Sequence, residues 1–217
     1  MSDTEPVTSD LRAELTATVA TAVEFSVILP PGWARFGVDA EAERQLTENM
    51  MAVLREHGTA TEVLSVRQSV HASFAELRRR KAIACYLPVL PVDGVVLPAS
   101  ITIAPAPVRT PDRLADFAQR VQQKAVTFAR GRDEDDLEVW RWEQRSSGLP
   151  GEPTEGERGG SRTISYLFEA PRTSRRTPAV VSGTLLYAAG EAEGDFAEQV
   201  LALLDAIMGT FTWAATP

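Results

Sequence analysis

Cysteine is nearly absent from this sequence: Cys85 is the only one in 217 residues, so no intrachain disulfide framework exists. Histidine is almost as scarce. His57 and His71 stand alone, with no Cys-x-x-Cys or His-Glu-x-x-His pattern around them. A zinc site or a histidine-dependent triad has no sequence signature here, and both are read as structural histidines. No apolar run approaches the roughly 20 residues that span a bilayer as a helix. There is no phosphate-binding glycine loop with its lysine, and no Gly-x-Ser-x-Gly elbow. Neither a metal nor a cofactor is expected.

Positive charge is also in deficit. Lys and Arg total 22 against 30 Asp and Glu, a formal net charge of −8, with neither half of the chain basic. That balance argues against nucleic acid and against an anionic membrane surface as partners. The opening Met1-Ser2-Asp3-Thr4-Glu5 lacks the basic and then apolar pattern of a secretory signal, so a cytoplasmic protein is expected. Lys81 and Lys124 are the only lysines, and the preference for arginine and alanine suits a GC-rich bacterial genome. The chain is 44% hydrophobic and 24% charged, an ordinary globular composition able to bury a sizeable core.

The hydrophobic pattern defines the elements. Residues 1–22 read as a polar tail with a short helix, and 23–217 as one domain. Glu24 to Leu29 is a strand stopped by Pro30-Pro31-Gly32, and Trp33 to Phe36 a second short strand. Asp39 is an N-cap for a helix over 40–57, with Leu46, Met50, Val53, Leu54 and His57 on one face. Gly58 ends it. A second helix over 60–82 follows, with Val63, Val66, Val70, Phe74 and Leu77 in register, giving a helical hairpin expected to pack on the sheet. Residues 83–90 and 95–104 form a β-hairpin. Thr110-Pro111 opens a helix predicted over 111–130 on the stripe Leu114, Phe117, Val121, Ala125 and Phe128. Residues 137–143 alternate strictly and are a strand. A glycine-rich loop occupies about 147–161, and 163–170 pairs with 179–189. Asp195 is predicted to cap a last helix with Phe196, Val200, Leu203, Leu204 and Ile207 buried, before a tail holding Phe211 and Trp213. The order gives an α+β fold, an antiparallel β-sheet flanked by helices in an α/β/α layer sandwich.

Three stretches resemble a known superfamily. Phe25 leading into Pro30-Pro31-Gly32-Trp33, the helix beginning at Pro111, and the ending Leu203-Leu204-Asp205-Ala206-Ile207-Met208-Gly209-Thr210-Phe211 are similar to the first strand and turn, the middle helix and the closing helix of PsbP-like domains. Mog-type Ran-binding proteins share that fold. The resemblance implies an antiparallel sheet between helices and a binding or assembly role, linked in some bacterial relatives to secretion. It carries over no ligand or catalytic residue.

Candidate functional residues follow from side-chain chemistry. Arg78, Arg79 and Arg80, with Lys81 beside them, and the group Arg172, Arg175 and Arg176 suit a carboxylate or phosphate. Trp33, Trp140 and Trp142 are aromatic candidates for a contact surface. Cys85 lies in an apolar strand and reads as a small buried hydrophobe. The acidic run Asp133 to Asp136 lacks the offsets of a calcium loop and reads as a solvated turn. A non-catalytic binding or assembly protein with a protein partner is therefore expected. The alternatives are a small hydrolytic enzyme with a carboxylate/arginine site and a subunit of a homo-oligomer.

Overall fold

A computed structural model describes residues 25–57, 60–91, 97–107, 111–133, 136–147, 159–171, 177–187 and 194–214. Their elements run β1 (Phe25–Ser26), β2 (Trp33–Phe36), α1 (Ala40–His57), α2 (Ala60–Arg79), β3 (Ala84–Pro88), β4 (Ala99–Pro105), α3 (Pro111–Gln122), β5 (Thr127–Arg132), β6 (Glu138–Ser147), β7 (Gly160–Phe168), β8 (Ala179–Tyr187), α4 (Asp195–Met208) and β9 (Thr212–Trp213). Seven strands make one sheet in the order β2-β3-β4-β8-β7-β6-β5, antiparallel at every junction. β1 and β9 pair separately as a two-stranded ribbon. The fold is α+β, with α4 and α3 packed on opposite faces of the sheet. Among the described residues no helix is long and apolar enough to cross a membrane.

Alternation along each strand assigns the two faces. Ile101 and Ile103 of β4, Val181 and Leu185 of β8, and Ile164 and Phe168 of β7 point to the α4 side. There they meet Val200, Leu201, Leu204, Ile207 and Met208. Phe211 stacks on Phe168 at 4.5 Å and on Phe25 at 5.7 Å, which ties the β1–β9 ribbon to the same core. Gly183 lets α4 come close: a Cβ there would lie 3.1 Å from the Leu204 Cβ and 3.0 Å from the Met208 Cε. Gly183→Val is expected to destabilise by about 1–3 kcal/mol, because overpacking exceeds the gain in strand propensity. Urea titration of the variant checks this, and an unchanged midpoint would show that α4 can shift.

Several sequence expectations are corrected. The helix from Pro111 ends at Gln122 rather than 130, and residues 127–132 form β5. Phe128 stands at helical spacing from Val121 and Ala125, yet it pairs with Trp142 across β5–β6. Its burial was legible; its element was not, because an apolar spacing of three serves helix and turn-then-strand alike. The acidic run accordingly follows β5 instead of a helix, and Asp133 Oδ1 accepts the Leu137 N–H at 2.9 Å. Asp195 is the first helical residue of α4, with Gly194 as N-cap and no side-chain cap bond. Phe196 is exposed, and Ala197, Leu201 and Met208 take buried places. α2 stops at Arg79 instead of 82.

The helical hairpin forms as expected, with Asp39 Oδ1 accepting the Ala42 N–H at 2.8 Å as the α1 cap. Its core holds Ala42, Val70 and Phe74, with Leu46 and Val66 against them. All five belong to α1 and α2, so this cluster is a satellite and contains no sheet residue. Met50 is exposed while Met51 is buried. The side chain of Val53, the tail 1–22 and the segment 148–158 of the glycine-rich loop lie outside the description.

Candidate binding groove

The face opposite α4 is organised in rows that run across the strands. Ala104, Val180, Leu167 and Trp140 are successive cross-strand partners from β4 through β8 and β7 to β6. Val180, Leu167 and Trp140 of this row belong to the cluster closed by Leu114 and Phe117 of α3. The next row is Thr102, Ser182, Ser165 and Trp142, and the one after it Ser100, Thr184, Thr163 and Gln144. α3 has 12 residues and lies over the apolar row; the hydroxyl rows form the floor of an open groove of about 960 Å³.

The floor is pre-ordered by its own hydrogen bonds. The Ser165 and Ser182 hydroxyls are 2.8 Å apart, and those of Thr163 and Thr184 3.1 Å apart. Thr102 Oγ1 donates to the Ser182 carbonyl at 3.5 Å. Phe117 and Val121 of α3 make one wall, and Phe117 meets the edge of Trp142 at 6.1 Å. Arg79, Arg80 and Lys81, where α2 ends, make another, and Arg145 of β6 lines the groove as well. No Asp, Glu, His or Cys is among the described residues that line it.

The arginine cluster predicted from sequence divides. Arg78 turns to Glu43 at 2.6 Å, the carboxylate that also meets His71 Nδ1 at 2.7 Å. Arg79 and Arg80 both bond Glu76 and line the groove. Lys81 follows with φ +56°, a left-handed residue at the helix end where glycine is the usual occupant. The two guanidinium groups beside Glu76 outweigh its partial burial and hold its carboxyl at about 2, below the ordinary 4.5. A depressed carboxyl stabilises the fold above its unfolded value and loses that contribution as pH falls toward 2. Glu76 is partly exposed, so the contribution is expected to stay below about 1 kcal/mol. NMR titration of its carboxyl checks the value, and an ordinary midpoint would show that the two arginines do not hold it.

The tryptophans separate too. Trp142 borders the groove although little of it is exposed. Trp140 is buried beside α3, its indole N–H without a hydrogen-bond partner among the described residues. Trp33 packs against the α4-side core on the other face, so the three do not form one surface. Cys85 is buried, and burial pushes its thiol up to about 12, which makes it unreactive. Among the described residues no group of His, Cys, Asp and Glu could hold a metal ion. Arg172, Arg175 and Arg176, and the His57 side chain, lie outside the description.

In the sequence, Ser100 and Thr102 alternate with Ile101 and Ile103, which marks them only as the wet side of a strand. The signal for the floor was present as alternation in β4 and β7, but strand order alone brings Thr102, Ser182 and Thr163 together. The more exposed Arg130–Glu138 pair of β5 and β6 lies on the Trp140 face, whereas the buried arginine–carboxylate contacts of the sheet lie on the α4 face. Arg162 joins Glu143 to Glu198 there, and Arg141 and Tyr166 both reach Asp205, at 2.8 and 2.9 Å. Burial, with the Asp205 hydrogen bond second, pushes the Tyr166 phenol up to about 12. Beside this network a shallower hollow of about 330 Å³ is lined by Gly131, Arg141, Tyr166 and Phe168. No protein-family model matches the chain, and a search of curated proteins returned no match.

Proposed function

We propose that this chain is a non-catalytic binding or assembly protein that holds a protein partner in the groove beside α3. The carrying observation is the groove's chemistry: hydroxyls, one amide and cations, without a carboxylate, imidazole or thiol among its described lining residues. Carboxylates, imidazoles and thiols are the commonest groups for proton transfer and nucleophile activation, and the one lysine of the lining, Lys81, stands on the wall and not among the hydroxyls of the floor strands. Hydroxyls and cations without carboxylates, imidazoles or thiols suit recognition. The buried carboxylate–arginine contacts lie on the opposite face, where they attach α4 to the sheet, and the Arg130–Glu138 pair does not line the groove. The PsbP-like resemblance points to the same broad role, that of a bacterial secretion-related accessory or adaptor. A cytoplasmic setting fits the single reduced thiol and the acidic composition.

Filling the groove tests this reading. Thr163→Trp places an indole over the floor at a partly exposed position. Wild type and a variant of equal melting temperature are used to capture partners from the native host. Material retained by wild type, lost by the variant and recovered chemically unchanged supports the proposal. Equal capture by both proteins, or conversion of the retained material, overturns it.

A further inference from the structure

We propose that the groove receives an extended acidic peptide segment of its partner, anchored by carboxylates. This rests on the binding reading above and names the ligand's chemistry. Arg79, Arg80 and Lys81 bring three positive charges to the groove against the single negative charge of Glu76, so that wall keeps a surplus of two. Arg145 of β6 borders the far end, but its side chain alternates to the α4 face and its guanidinium lies 3.6 Å from Glu143, so the end of α2 is the anchoring wall. The whole chain carries −8, but at physiological salt that field is screened beyond about 8 Å, while the wall cations act in contact.

Lys81 is the second observation. A left-handed conformation is unfavourable for a non-glycine residue, and here it is held by a lysine beside the groove. Such strain is a recognised mark of functional positions. The floor sets the length. It spans four strands, β4 to β6, hence three spacings of about 4.8 Å, or about 14 Å. An extended chain covers that distance with about four residues. Gln144, whose side chain has no partner among the described residues, and the hydroxyls of Thr102 and Thr163 can meet peptide N–H and C=O groups. Phe117 and Val121 supply an apolar wall for one side chain between the carboxylates.

The probe is a dye-labelled, end-blocked peptide Gly-Glu-Leu-Thr-Glu-Gly, and its control carries glutamine at both glutamate positions. Fluorescence anisotropy is expected to show the acidic peptide binding about tenfold or more tighter, with affinity falling as salt is raised. Lys81→Ala should weaken it several-fold, Lys81→Arg should restore it, and Thr163→Trp should abolish it, with melting curves confirming that each variant folds. Equal binding of the two peptides, still lost in Thr163→Trp, overturns the acidic specificity and leaves the groove as the site. Acidic-peptide binding that survives Thr163→Trp and Lys81→Ala overturns the groove itself. Competition by succinate or inorganic phosphate at the peptide's own affinity overturns the peptide in favour of a small anion. Failure of both peptides to bind overturns the proposal as well.

Discussion

Arg162→Ala is expected to lower stability by about 3–5 kcal/mol, the cost of removing one partner from a buried ion pair. Arg162 and Glu143 are both buried in the sheet, at 4% and 7% exposure. The guanidinium reaches Glu143 Oε1 through Nε at 2.9 Å and through a terminal nitrogen at 2.8 Å, and its other terminal nitrogen reaches Glu198 on α4. Truncation leaves the Glu143 carboxylate in the interior with Arg145 at 3.6 Å as its remaining cation contact among the ion pairs described. It also removes a link between the first turn of α4 and β7. Adding Glu143→Gln to Arg162→Ala should recover part of the loss, because an amide costs less to bury than an unpaired charge. Urea denaturation of the single and double variants measures both effects. A single-variant loss under about 1 kcal/mol, the range of exposed pairs, would mean that water reaches the site.

Phe74→Ala is expected to cost about 3–5 kcal/mol as a buried aromatic truncation, with the damage confined to the helical hairpin. Phe74 is 3% exposed, and its cluster of Ala42, Val70, Leu46 and Val66 is drawn wholly from α1 and α2. Weakening a satellite core opens that unit locally while the main core stays closed. Amide exchange should therefore accelerate in residues 66–79 and remain slow in β7 and β8. Because α2 carries Arg79 and Arg80 and leads into Lys81, the same variant should lose the acidic peptide. Uniform acceleration through β7 and β8 would show that hairpin and sheet unfold as one unit.

Much of the architecture was legible because hydrophobic period is a local property. The Asp39 cap, the α1–α2 hairpin, the alternation of β6 and the apolar closing helix each rest on neighbours within a few residues, where propensity and burial agree. β5 escaped because Phe128 matches both the helical stripe and a cross-strand place opposite Trp142. Arg78, Arg79 and Arg80 were recognisable as a cluster, but α2's rotation sends Arg78 to Glu43 and leaves Arg79, Arg80 and Lys81 at the groove.

The sequence by itself determined an acidic α+β chain with one buried cysteine and no patterned metal or nucleotide site. Tertiary structure alone decided where its polar residues meet. Thr102, Ser182 and Thr163 become neighbours through the order β4-β8-β7, which sets residues about 80 positions apart side by side. The same ordering placed Arg162 beside Glu143 within the sheet and Trp33 on the face away from Trp142. Which strand lies next to which depends on the long-range burial of two sheet faces, and no window of sequence contains it.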